Sequence, residues 1–134
     1  MSNSIATGVA YADPEFITVY ASEQIGYAPA AQGAVTQATD KSTGVTLNKS
    51  AGRITMNAAS LAANTAVSFT LTNSLISAND AIIVNVSGGG TAAAYTTYVS
   101  SMTAGSAVLT LRNMTGGALA EAVILNFAII HGQS

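Results

Sequence analysis

From residue 33 onward the chain alternates apolar and polar residues in short runs separated by turn-forming clusters. In 65–72 ("TAVSFTLT") Val67, Phe69 and Leu71 fall on one side and Ser68, Thr70 and Thr72 on the other, the period of a half-buried strand. The run 106–112 ("SAVLTLR") repeats this with Ala107, Leu109 and Leu111 inward. Further strands are predicted at 34–39, 44–48, 53–57, 81–87 and 94–100. A strand every 8 to 12 residues or so is the rhythm of a sandwich or barrel. The clusters "NKSAG" and "RNMTGG" read as hairpin loops. Residues 58–63, flanked by Asn57 and Asn64, suit a short capped helix or turn. The expected fold is all-β: an antiparallel, jelly-roll-like β-sandwich over 33–134, preceded by an extended N-terminal arm over 1–32.

The last run, 120–130 ("AEAVILNFAII"), breaks the one-sided rule. Val123, Leu125, Phe127 and Ile129 share one face, and Ala122, Ile124, Ala128 and Ile130 the other. Strands of antiparallel sheets commonly bury one face and wet the other. Two apolar faces on one strand therefore predict a second cover. Either neighbouring copies around a symmetry axis supply it, or the arm or residues 57–64 of the same chain do. The oligomer is the preferred expectation, with Ile124, Leu125, Phe127 and Ile129 as candidate interface residues.

Composition narrows the partners. Only 7% of the 134 residues are charged, against about 25% in an average globular domain. Ala, Thr and Ser number 26, 16 and 14, so the surface is small and neutral, and net charge is −2. Little repulsion then keeps copies apart. Four Lys and Arg are too few for a nucleic-acid stripe. The longest apolar run, 118–130, is interrupted by Glu121 and Asn126 and is too short to span a bilayer, so no membrane partner is expected. The opening "MSNSIATGVA" lacks the basic and apolar regions of a secretory signal.

The arm has its own character. Tyr11, Phe16, Tyr20 and Tyr27 are half of the chain's aromatics, and both prolines, Pro14 and Pro29, lie there. It carries Asp13, Glu15 and Glu23 and no cation. Proline favours extended chain, and tyrosine offers a broad contact area with a polar tip. Tyr11, Asp13, Phe16, Tyr20 and Tyr27 are therefore the candidate partner-binding residues, the alternative being an irregular first strand packed on the subunit's own core.

Candidate chemistry is sparse. No cysteine is present, and His131 is the lone histidine, with no nucleophile or carboxylate implied beside it. The pair Asp13 and Glu15 lies on the arm, away from any rigid cleft. "SGGG" at 87–90 is followed by no Lys-Ser/Thr, so it reads as a turn and not a phosphate loop. The sequons at Asn48, Asn85 and Asn113 are expected by chance in so Asn-, Ser- and Thr-rich a chain. Lys41, Lys49 and Arg53 gather around one predicted hairpin, either as a surface for an acidic partner or simply as solvated charges. No active site and no cofactor are expected.

The block 37–86 ("QATDKSTGVTLNKSAGRITMNAASLAANTAVSFTLTNSLISANDAIIVNV") together with 108–130 ("VLTLRNMTGGALAEAVILNFAII") resembles small virion proteins of tailed bacteriophages. Such modules occur as capsid decoration (cement) proteins and in head-fibre or tail-fibre proteins. The resemblance implies a β-sandwich homotrimer on the virion's capsid surface that binds the major capsid protein, with an N-terminal segment gripping the shell. It carries no catalytic residues. Three classes remain: a decoration protein, a fibre module for host attachment, and a small enzyme or carbohydrate-binding domain. Zero Trp and one His weigh against the third. A chain of 134 residues opening on Met fits the stand-alone decoration protein better than a piece of a fibre.

With scattered carboxylates making at most a weak cation site, elemental analysis after dialysis is expected to find no stoichiometric metal, and a chelator to leave the melting temperature unchanged. A fall of several degrees on chelation would reverse that expectation.

Overall fold

The two clearest alternating runs pair with each other. In a computed structural model, which describes residues 15–132, Ala66–Thr72 and Ser106–Asn113 lie antiparallel, with Phe69 opposite Leu109 and Leu71 opposite Ala107. The full series is a turn of 3-10 helix at Pro29–Ala31, then β1 (Gln32–Thr36), β2 (Val45–Thr46), β3 (Ala51–Thr55), β4 (Ala66–Thr72), β5 (Ala81–Gly88), β6 (Tyr95–Thr103), β7 (Ser106–Asn113) and β8 (Ile124–Ile130). Sheet I has the order β1-β3-β8-β5 and sheet II the order β2-β4-β7-β6. The protein is an all-β sandwich.

The core is the sum of the inward positions. Ile54, Leu125, Phe127 and Ile129 of sheet I meet Phe69, Leu71, Leu109 and Leu111 of sheet II, each at most 3% exposed. Met56 and Val123 close one end, where the Met56 N–H donates to the Val123 carbonyl at 2.8 Å. Each such apolar side chain contributes about 1.5–3 kcal/mol through removal from water. The inward positions of 65–72 and 106–112 are those that the period predicts.

Connectivity departs from the expectation in three places. First, "NKSAG" and "RNMTGG" are not hairpins. β2 lies in sheet II and β3 in sheet I, and β7 and β8 are likewise divided, so both loops carry the chain from one sheet to the other. Second, the sheets are mixed. β1 pairs with β3 in parallel and β2 with β4 in parallel. Each of the first four strands switches sheet, so alternate strands return in the same direction. The within-sheet hairpin is β6–β7, turning at Ala104–Gly105 with Gly105 at φ +85°. Third, of the two forms expected over 58–63, the helix is absent and the turn is what forms. Asn57 Oδ1 accepts the Ala59 N–H at 2.8 Å, an Asx turn, and Leu61 forms an isolated antiparallel bridge with Leu119.

Buried polar groups hold the loops between sheets. Asn113 is fully buried, and its amide donates to the carbonyls of Leu61 (3.0 Å), Ala62 (3.2 Å) and Gly117 (2.9 Å). Its Oδ1 accepts from the Thr115 N–H and hydroxyl at 2.9 and 2.8 Å. Asn73, also fully buried, donates to the Lys49 carbonyl at 2.7 Å. Among the described residues every buried side-chain nitrogen and oxygen has a partner. Burial of Asn113 also removes that sequon from modification in the folded state.

Replacing Asn113 by Ala strands several buried groups at once. Urea unfolding is expected to show a loss of about 2–3 kcal/mol, whereas Asn85→Ala, at an exposed position, stays within about 0.5 kcal/mol of wild type. Equal effects at the two positions would refute the strut.

Candidate functional site

The outer face of sheet I is where the second apolar side of β8 emerges. Across the sheet the outward residues form rows. Ile130 stands opposite Ala81, and Ile83, Ala128 and Ala51 make the next row. Asn85, Asn126, Arg53 and Ala34 follow as a polar row, then Ile124 beside Thr55. Ile83 and Ile130 are 55% and 57% exposed. The period of two thus sorts the four residues expected at an oligomer interface. Leu125, Phe127 and Ile129 point into the subunit's own core, and only Ile124 belongs to the outer face.

The arm reaches this face at its root. Tyr27 donates its hydroxyl to the Ile129 carbonyl, Gln32 Nε2 holds the Tyr27 carbonyl at 2.8 Å, and Lys49 Nζ holds that of Ala30 at 2.9 Å. Tyr27, a candidate partner-binding residue, is half-buried and tied to the subunit's own sheet. Ile25 and Tyr27 border an apolar groove of about 500 Å³ whose floor is Ile83, Ala128 and Ile130. A second, more polar cup of about 320 Å³ is bordered by Gln32, Ala51, Arg53 and Asn126. Arg53 Nε lies 3.4 Å from Asn126 Oδ1.

Before its root, the described part of the arm has no cover among the described residues. Residues 15–26 are all exposed and form no regular element. Phe16, Ile17, Val19, Tyr20 and Ile25 are each at least 61% exposed. Phe16 and Tyr20 are thus presented to solvent, while Tyr11 and Asp13 lie outside the described residues.

Two side-chain clusters that the sequence did not announce complete the picture. Ser50 Oγ is 3.3 Å from His131 Nε2, and His131 Nδ1 is 3.3 Å from Asp80 Oδ2. The connectivity is that of a nucleophile, base and acid, but Asp80 is committed to the backbone. Its carboxylate accepts the Ser77 N–H at 2.8 Å, the Ser77 hydroxyl at 2.9 Å and the Gly132 N–H at 2.9 Å. The cluster clamps the end of β8 to the turn before β5. Its members stand 30 and 51 residues apart along the chain, which is why His131 looks isolated in the sequence.

The second cluster corrects the basic surface expected at 41–53. Lys41 is buried at 3% exposure and donates its ammonium to the carbonyls of Asn57 and Glu121. Burial pushes its pKa down, and the charge of Glu121 pulls the other way. The Glu121 carboxylate accepts the Thr91 N–H (3.0 Å), the Thr91 hydroxyl (2.7 Å) and the Tyr95 hydroxyl (2.7 Å). Those bonds hold it below the usual carboxylate range, the Thr91 N–H foremost. Lys41 is therefore a strut, and Arg53 is the cation that the outer face displays.

Among the described residues no group of three His, Cys, Asp or Glu side chains is placed to hold a metal ion. No protein-family model, curated protein or solved structure matches the chain. The arrangement is an extended apolar-acidic arm segment beside an open sheet face.

The Asp80 clamp has a pH signature. The Ser77 N–H foremost, then the Ser77 hydroxyl, the Gly132 N–H and the nearby His131, hold its pKa at about 2 against the opposing effect of burial. A carboxyl whose folded pKa lies below its unfolded value near 3.8 stabilises the fold above about pH 4, and that contribution fades as pH falls toward 2. Melts between pH 2 and 7 are expected to show Asp80→Ala less stable than wild type at neutral pH, with the two curves converging toward pH 2. Parallel curves would disprove the linkage.

Proposed function

We propose that this protein is a structural virion component, a capsid decoration (cement) protein that binds the phage head surface as a homotrimer and stabilises the shell. The observation that carries the reading is the arm. A sandwich with a complete core of its own extends an acidic segment whose Phe16, Ile17, Val19 and Tyr20 find no cover among the described residues, as expected of a subunit whose arm is buried only within an assembly. Exposed apolar groups grouped in this way mark interaction sites. The sparse charge of the surface and the resemblance of 37–86 and 108–130 to phage virion proteins support the same reading. Ligand-linked stabilisation supplies the mechanism. A protein that binds the assembled shell and not its dissociated parts stabilises the assembly by mass action.

Sedimentation of the purified protein with undecorated heads of the phage that encodes it tests the proposal. The wild type is expected to pellet with heads, and Tyr11→Ala/Asp13→Ala to weaken pelleting at least tenfold with an unchanged melt. Immunolabelling of intact virions is expected on the head. Label confined to the tail, or no binding to heads at all, would overturn the decoration reading, the former in favour of a fibre module.

A further inference from the structure

We infer that the outer face of sheet I is the dock for residues 15–24 of a second copy of this chain, so that subunits are joined by an arm laid from each onto the next. The inference deepens the proposed homotrimer and rests on it for the number of subunits. Three observations argue for this occupant.

The first is chemical match. Residues 15–24 combine exposed apolar groups (Phe16, Ile17, Val19, Tyr20) with Glu15 and Glu23 and no cation. The outward positions of β1, β3, β5 and β8 combine an apolar tract (Ile83, Ala128, Ile130) with Arg53 and no carboxylate. The apolar groove and the Arg53–Asn126 cup adjoin on that face. An apolar-acidic strand laid over both places carbon on carbon and carboxylate beside guanidinium, a charge-assisted contact.

The second is reach. Ten extended residues span about 33 Å, whereas four strands at about 4.8 Å spacing are roughly 15 Å wide. The arm segment is long enough to cross the sheet of a neighbour after bridging a gap between subunits.

The third is that the subunit's own arm leaves the place open. Its root, Ile25 to Tyr27, rests at one border of the groove, and 15–24 continue into solvent with Ile83 and Ile130 still more than half exposed. Among the described residues, each subunit therefore carries one open face and one uncovered arm segment. An arm-to-face contact is heterologous, and a threefold rotation closes it into a ring with no arm or face left over. In this arrangement the shell contact falls to the segment preceding residue 15, where Tyr11 and Asp13 lie.

The test uses two full-length variants altered only at exposed positions. One blocks the arm (Phe16→Ser, Ile17→Ser, Val19→Ser, Tyr20→Ser) and the other blocks the face (Ile83→Asp, Ile130→Asp). Light scattering at micromolar concentration is expected to give a trimer for the wild type and a monomer for each variant alone. Mixed one to one, they are expected to form a heterodimer, since one supplies a working arm and the other a working face. Arg53→Glu is expected to raise the concentration for half-assembly at least tenfold, and Glu15→Arg/Glu23→Arg in the same chain to restore it. A monomeric wild type, or two variants that fail to complement although each melts like the wild type, would overturn the inference. A trimer joined face to face would be recognised by the arm-blocked variant remaining trimeric, which also overturns it. Head binding is read separately with Tyr11→Ala/Asp13→Ala, so failure of the decoration reading leaves a trimer intact, and failure of the arm exchange shows in solution without heads.

Discussion

The inner face of β8 is the contact on which the sandwich depends. Leu125, Phe127 and Ile129, continued by Val123 just before the strand, lie along one line, each at most 3% exposed, and they meet the central β4–β7 pair of the opposite sheet. β8 also bonds to β3 on one side and β5 on the other, so sheet I is assembled around it. Because side chains alternate, loading that inner face so fully leaves a second row on the same strand facing out. Ile124, Ala128 and Ile130 are that row. The open apolar face thus belongs to the same strand that builds the core.

A neutral surface changes how the loops are held. With few charges available, the molecule uses amides and hydroxyls as internal fasteners. Gln37 illustrates this. Its amide donates to the carbonyls of Lys41 and Thr43 at 3.0 and 2.9 Å, and its Oε1 accepts the Asn57 N–H at 3.0 Å. Asn73 and Asn113 do the same at other crossings between sheets. A buried amide satisfied at both ends is costly to remove, because its partners cannot turn to water.

Much of the fold was legible in the sequence, and the reason is local. Each observed strand overlaps an expected run, and the inward residues of β4 and β7 follow from alternation, which needs no knowledge of distant partners. The bounds differ, with β1 starting at Gln32 inside the expected arm, β2 reduced to Val45–Thr46 and β8 starting at Ile124. Sheet membership did not follow, because a Gly- and Asn-containing turn looks alike whether it closes a hairpin or crosses between sheets. The stretch 48–52, "NKSAG", is the example. The candidate surface was half legible. Two apolar faces on 120–130 announced an open side, but the sequence alone offered Leu125, Phe127 and Ile129 together with Ile124, since which face turns inward depends on the pairing partner. Buried Lys41 and the Ser50–His131–Asp80 clamp were beyond reach. Their partners are brought together only by the tertiary fold.

The order of the strands carries a kinetic consequence. Apart from β6–β7, each connection between successive strands passes from one sheet to the other, so neighbours in the chain are seldom neighbours in a sheet. β8 must find β3 across some seventy residues before the core can close. Chains dominated by such distant pairings fold slowly, in milliseconds to seconds, whereas a hairpin forms in about 1–10 μs. The β6–β7 hairpin, with its tight Gly105 turn, is thus the natural nucleus. The rest of the sandwich accumulates around it, and β8, the strand that completes sheet I, is synthesised after the other seven described strands.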